Sequence, residues 1–94
     1  MMIANAQRVR QWCDESEEKT LFAEGLDDAV IGITRDLPSG AYRVVYDIHR
    51  VVNVLMNEQG MTHDEAVEHI EHNIAGAHVG PMTPVWSFLP IVED

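Results

Sequence analysis

The sequence predicts a small α+β domain over residues 1–94, with three helices packed as one layer on a three-stranded antiparallel sheet in the order α-β-β-α-α-β. Three observations lead there. Apolar residues recur at three- and four-residue spacing in three separate stretches, as in helices with one buried face. Two short stretches after the first of these alternate in character around a Pro-Ser-Gly turn, as a hairpin does. The last apolar stretch is short and interrupted by prolines, which suits an edge strand. Composition agrees: 46% hydrophobic and 23% charged residues describe a globular chain rather than a disordered one.

The first helix is expected from about Ile3 to Glu18, where Ile3, Ala6, Val9, Trp12 and Cys13 form one stripe. Its acidic C-terminal end opposes the helix dipole and should fray. Leu21, Phe22 and Ala23 are a short apolar patch, and Glu24-Gly25 reads as a turn. A strand follows over Ala29–Arg35, with Ala29, Ile31 and Ile33 on one face and Val30, Gly32 and Thr34 on the other. Gly32 inside it suggests a bulge or a close neighbour. Asp36-Leu37-Pro38-Ser39-Gly40 carries turn chemistry, and Ala41–Tyr46 returns as the second strand.

Asp47 is a good N-cap for a second helix whose stripe is Ile48, Val51, Val52, Leu55 and Met56, closed by Gly60. Thr62-His63-Asp64-Glu65 fits a capping box opening the third helix. Ala66, Val67, Ile70, Ile74 and Ala77 line its buried side, and Gly76, Gly80 and Pro81 end it. Thr83–Val92 then supplies the last strand, which should pair with the hairpin.

The chain carries six Lys and Arg against sixteen Asp and Glu, a formal charge of −10. That balance excludes an ordinary nucleic-acid binder and disfavours docking on anionic lipid. Residues 1–50 hold nine acids and six bases; residues 51–94 hold seven acids and no Lys or Arg. Two acidic stretches stand out: Asp14, Glu15, Glu17, Glu18, Glu24, Asp27 and Asp28, and then Glu58, Asp64, Glu65, Glu68 and Glu71. A solvated surface accounts for both; so does a face that docks on a basic protein. No apolar run approaches the ~20 residues of a membrane span, and the N-terminus lacks the order of a signal peptide. A cytoplasmic location is expected.

Candidate chemistry is sparse. Glu65, His69 and His72 share a narrow helical sector that could grip a divalent metal, but they match no metal signature, and exposed Glu–His pairs at i,i+4 explain the spacing better. No metal or cofactor is therefore expected. His63 falls on the apolar side near the helix start, where packing or capping is the expected role. Asp27, Asp28 and Asp47 fit turn and cap roles better than acid–base catalysis. Cys13, the single cysteine, excludes an internal disulfide and reads as a small buried hydrophobe rather than a nucleophile. Ser16, Ser39 and Ser87 lie in no nucleophile-elbow motif, and no Gly-rich phosphate loop is present. Trp86 on an edge strand is either core or, if exposed, the aromatic anchor of an interface.

Four segments carry a family likeness: Leu21–Ile33 (LFAEGLDDAVIGI), Val45-Tyr46-Asp47, Gly60–Glu68 (GMTHDEAVE) and Asn73–Pro84 (NIAGAHVGPMTP). In this order they resemble a widespread family of small acidic phage and prophage proteins to which no activity is assigned. The likeness spans residues 20–92 and brings no catalytic residues with it. It implies a phage-type protein that works by binding host machinery, as anti-CRISPR and other anti-defence proteins do. The expected function is thus non-enzymatic: inhibition of a basic host protein or ribonucleoprotein complex, such as a CRISPR effector, by an acidic surface that mimics nucleic acid. Neither direct nucleic-acid binding nor a membrane is expected. The alternatives are a homodimeric interaction module, joined through the C-terminal strand or first helix, and a small metal-binding protein using Glu65, His69 and His72.

Overall fold

The computed structural model describes residues 5–74, 80 and 82–87. Helix α1 runs Asn5–Ser16. Its buried residues are Ala6, Val9 and Cys13, with Trp12 half-buried beside them, so the expected stripe forms. Ile3 lies outside the described residues. The helix stops two residues short of Glu18. Glu17 turns left-handed at φ 57°, and the Glu18 amide donates to the Cys13 carbonyl at 3.0 Å. That is a Schellman closure with Glu where Gly usually sits, at the end where Asp14 and Glu15 already oppose the dipole.

The stretch from Thr20 to Ala29 is tied down by side chains. The Thr20 hydroxyl donates to the Tyr42 carbonyl at 2.7 Å, and the Ala23 amide donates to the Tyr46 hydroxyl at 2.7 Å. Leu26 is buried, and a 3-10 turn follows over Asp27–Ala29. Ala29 therefore closes a turn rather than opening a strand.

Strand β1 is Val30–Arg35 and pairs antiparallel with β2, Tyr42–Asp47, across the expected hairpin. Its register corrects the simple alternation. Val30 opposes Tyr46 but Gly32 opposes Val45, so Ile31 is the extra residue of a bulge. The bulge reverses the parity of the strand. Val30 and Ile33, opposite Tyr46 and Val44, now share a face that the period-2 pattern separates. The hairpin turn is closed by Asp36 and Ala41 (N···O 2.8 Å) and by Gly40, at φ 76°, donating to the Asp36 carbonyl at 2.6 Å.

Helix α2, Ile48–Gln59, starts where the Asp47 carboxylate accepts the His49 amide at 3.2 Å. Val51, Val52, Val54 and Leu55 are buried, with Ile48 and Met56 packed against them; Val54 widens the expected stripe. Gly60 ends the helix in the left-handed region at φ 67°. Helix α3, His63–His69, opens with the expected capping box: Thr62 Oγ1 accepts the Glu65 amide at 3.2 Å, and Glu65 Oε1 accepts the Thr62 amide at 3.0 Å. From Ile70 to Ile74 the backbone is π-helical, not the continued α-helix expected. Over five residues, periods of 3.6 and 4.4 are indistinguishable in an apolar pattern. Gly76, Ala77 and Pro81 lie outside the described residues.

Strand β3, Val85–Ser87, pairs with β2, giving the order β1-β2-β3. Its direction differs from expectation: β3 is parallel to β2, with Val45 opposite Val85 and Tyr46 opposite Trp86. The sheet is mixed, not antiparallel. Residues 48–84 form the crossover that a parallel pair requires, and two helices occupy it. The continuation expected to Val92 lies outside the described residues.

Helices and sheet share one core. Tyr46, Leu55, Val30, Val44 and Val51 are its largest fully buried side chains. Trp12 meets Tyr42 edge-on at 4.9 Å, which seats α1 on the face bearing Tyr42, Val44 and Tyr46. Trp86 stacks on Tyr46 at 4.8 Å and is half-buried in this core, so the packing role describes it.

Candidate partner-binding surface

Fourteen of the acids lie among the described residues, and they divide by exposure. Asp36 and Asp47 serve the fold. Asp36 accepts the Ser39 hydroxyl and faces Arg43 at 3.7 Å; Asp47 caps α2 and faces Arg50 at 3.7 Å. The other twelve are all exposed: Asp14, Glu15, Glu17, Glu18, Glu24, Asp27, Asp28, Glu58, Asp64, Glu65, Glu68 and Glu71. These are the twelve residues marked as a docking surface by the sequence. Burying an unpaired carboxylate is costly, so the surface suits them; of these, Asp27 also pairs with Arg10 and Glu65 closes the α3 capping box.

The two acidic stretches meet. Asp28, in the 3-10 turn before β1, lines a groove with Asn53, Asn57 and Glu58 of α2, and with Arg50. Next to it, Asp27 accepts Arg10 at 2.9 Å, and that guanidinium also lies over the Phe22 ring at 3.9 Å. Arg10 borders a second hollow with Asp14 and Glu18 at the end of α1. Carboxylates from α1, the turn and α2 thus follow one another around Arg10 and Arg50. Asn53 and Asn57 escaped the sequence reading. Their signal is the polar spacing of Arg50, Asn53 and Asn57 on α2, opposite its buried stripe.

Glu65, Glu68, His69 and His72 line a third, open hollow with Met61. The helix therefore brings the sequence-predicted sector together. Yet among the described residues no three His, Cys, Asp or Glu side chains are placed to hold a metal ion. Glu65 is committed to the capping box, and the Thr62 amide and hydroxyl hold its carboxyl below the ordinary glutamate range. His63 is exposed, with Nδ1 3.8 Å from Asp64, rather than packed on an apolar side. As the first residue of α3, it leaves capping to Thr62.

Cys13 is buried, and burial, with Asp14 and Glu18 adding to it, pushes its thiol up. Less thiolate means less nucleophile. Burial also raises the Tyr46 phenol, which is occupied by the Ala23 amide. Among the described residues no helix is long and apolar enough to cross a membrane. No family model matches the chain, and no curated protein or solved structure is similar to it at a significant level.

Proposed function

We propose that this chain is a non-enzymatic inhibitor that docks on a basic, nucleic-acid-binding protein complex and occupies the surface that otherwise grips phosphate. The reading rests on the exposure of twelve of the fourteen described acids; the other two, Asp36 and Asp47, brace the turns at either end of β2. The Asp28–Glu58 groove supports it further: one acid from each stretch lines it, beside Arg50, so charges distant in sequence act on one approaching partner. The asparagines beside them add acceptors for lysine or arginine donors. The likeness to small phage proteins makes a host complex, such as a CRISPR effector in the host cytoplasm, the first target class to assay.

The test is charge neutralisation without loss of shape. Replacing Glu65, Glu68 and Glu71 by Gln should weaken binding to the target and flatten its dependence on salt, because rim charges act through long-range attraction. Unchanged affinity at every salt concentration, with an intact fold, would remove the α3 face from the interface. Replacing Asp28 by Asn and Glu58 by Gln examines the groove in the same way.

A further inference from the structure

We propose that the outer edge of β1 is a self-association surface, on which a second copy of this chain adds its own β1 antiparallel and extends the sheet across a two-fold axis. Strand β1 ends the sheet order, and among the described residues no strand pairs with its outer side. It is six residues long, enough to template a partner strand.

Charge decides what covers it. The N-terminal end of β1 is preceded by Asp27 and Asp28, and its C-terminal end is Arg35. Antiparallel pairing of two identical strands always sets the start of one beside the end of the other. A β1–β1 pair therefore lays Arg35 of each copy beside Asp28 of its mate, twice per two-fold interface, while Asp27 stays with Arg10 of its own chain. Asp28 and Arg35 are both exposed; in the single chain Arg35 Nε donates to the Gly40 carbonyl at 3.4 Å and the guanidinium lies 5.5 Å from the Tyr42 ring, so pairing redirects it from its own hairpin to the mate's Asp28. Counted along the sequence, a pair centred between Ile31 and Gly32, where the bulge lies, achieves this match and sets Ile33 opposite Val30. Ile31 and Gly32 are half-buried and belong to no part of the core. Leu37, two residues beyond Arg35 and 81% exposed, lies at the end that meets the other copy. Two chains of charge −10 repel at long range, so the local Arg–Asp match is what aligns them.

Sedimentation equilibrium of the full chain at physiological salt tests this. The wild-type protein should shift with concentration toward the mass of two chains. Arg35→Glu and Asp28→Lys should each hold the protein at the 10.6 kDa of one chain, because each sets like charges together. An equimolar mixture of the two variants should regain the two-chain mass. In that mixed pair the introduced carboxylate meets the introduced ammonium, and the remaining Arg35 meets the remaining Asp28. Circular dichroism checks that each variant stays folded. A wild type that remains a single chain up to millimolar concentration would overturn the proposal. So would a dimer that both charge reversals leave intact, or variants that stay apart when mixed.

Discussion

Residues 5–47 and 48–74 use polar groups in different ways. In the first region they join elements distant in sequence: Arg10 to Asp27, Thr20 to Tyr42, and Ala23 to Tyr46. At the second they close helix starts: Asp47, the last residue of the first region, on His49, and Thr62 with Glu65. Five of the six bases lie in the first region and the sixth, Arg50, in the first turn of α2; beyond it the chain holds no Lys or Arg. Tertiary structure in residues 5–47 therefore depends on particular polar groups. Residues 48–74 hold to the core through Val51, Val52, Leu55, Ala66 and Ile70, which leaves most of their exposed acids free of folding duty.

Mutations test whether the two regions differ in this way. The largest loss should come from Leu55→Ala, which empties fully buried space that both regions share. Denaturant melts should show about 2–5 kcal/mol of destabilisation. Tyr46→Phe should come next, at ~1–3 kcal/mol, because it leaves the Ala23 amide without its acceptor in a part-buried site. Thr62→Ala should lose about 1 kcal/mol from the α3 cap, and amide exchange should localise the loss to α3. Glu68→Gln should change stability by no more than ~0.5 kcal/mol in either direction. A large loss at Glu68 would erase the contrast between the two regions.

Acid titration gives a finer comparison. The folded carboxyl of Glu65 is lowered by its bonds to Thr62, so its contribution is present above the ordinary glutamate pKa of ~4.3. It is lost as pH falls through the lower folded value. Far-UV circular dichroism between neutral and acid pH should therefore show α3 holding until that range. Glu65→Gln, which can still accept the Thr62 amide, should remove this step from the profile.

Much of the fold was legible because it rests on local chemistry. The Asp47 cap, the Thr62–Glu65 box, Gly60 and the hairpin turn each state their geometry within a few residues. What escaped depends on partners far along the chain. The bulge at Ile31 reverses strand parity, and Gly32 hinted at it without giving its consequence for Val30 and Ile33. The direction of β3 depends on how α2 and α3 carry the chain back, which no residue in Val85–Ser87 encodes. The exposure of the twelve acids was readable from charge alone. Their meeting at Asp28 and Glu58 was not, because it requires the 3-10 turn to pack on α2.

On the proposed function, this acidic surface takes the place of nucleic acid on a basic partner. Affinity capture from nuclease-treated host lysate, at low and high salt, tests that most directly. The expected result is one stoichiometric nucleic-acid-binding protein or complex, retained after nuclease, released at high salt, and lost when Asp28, Glu58, Glu65 and Glu68 are replaced by their amides. Recovery of the chain alone, or a partner held equally by that folded variant, would contradict it.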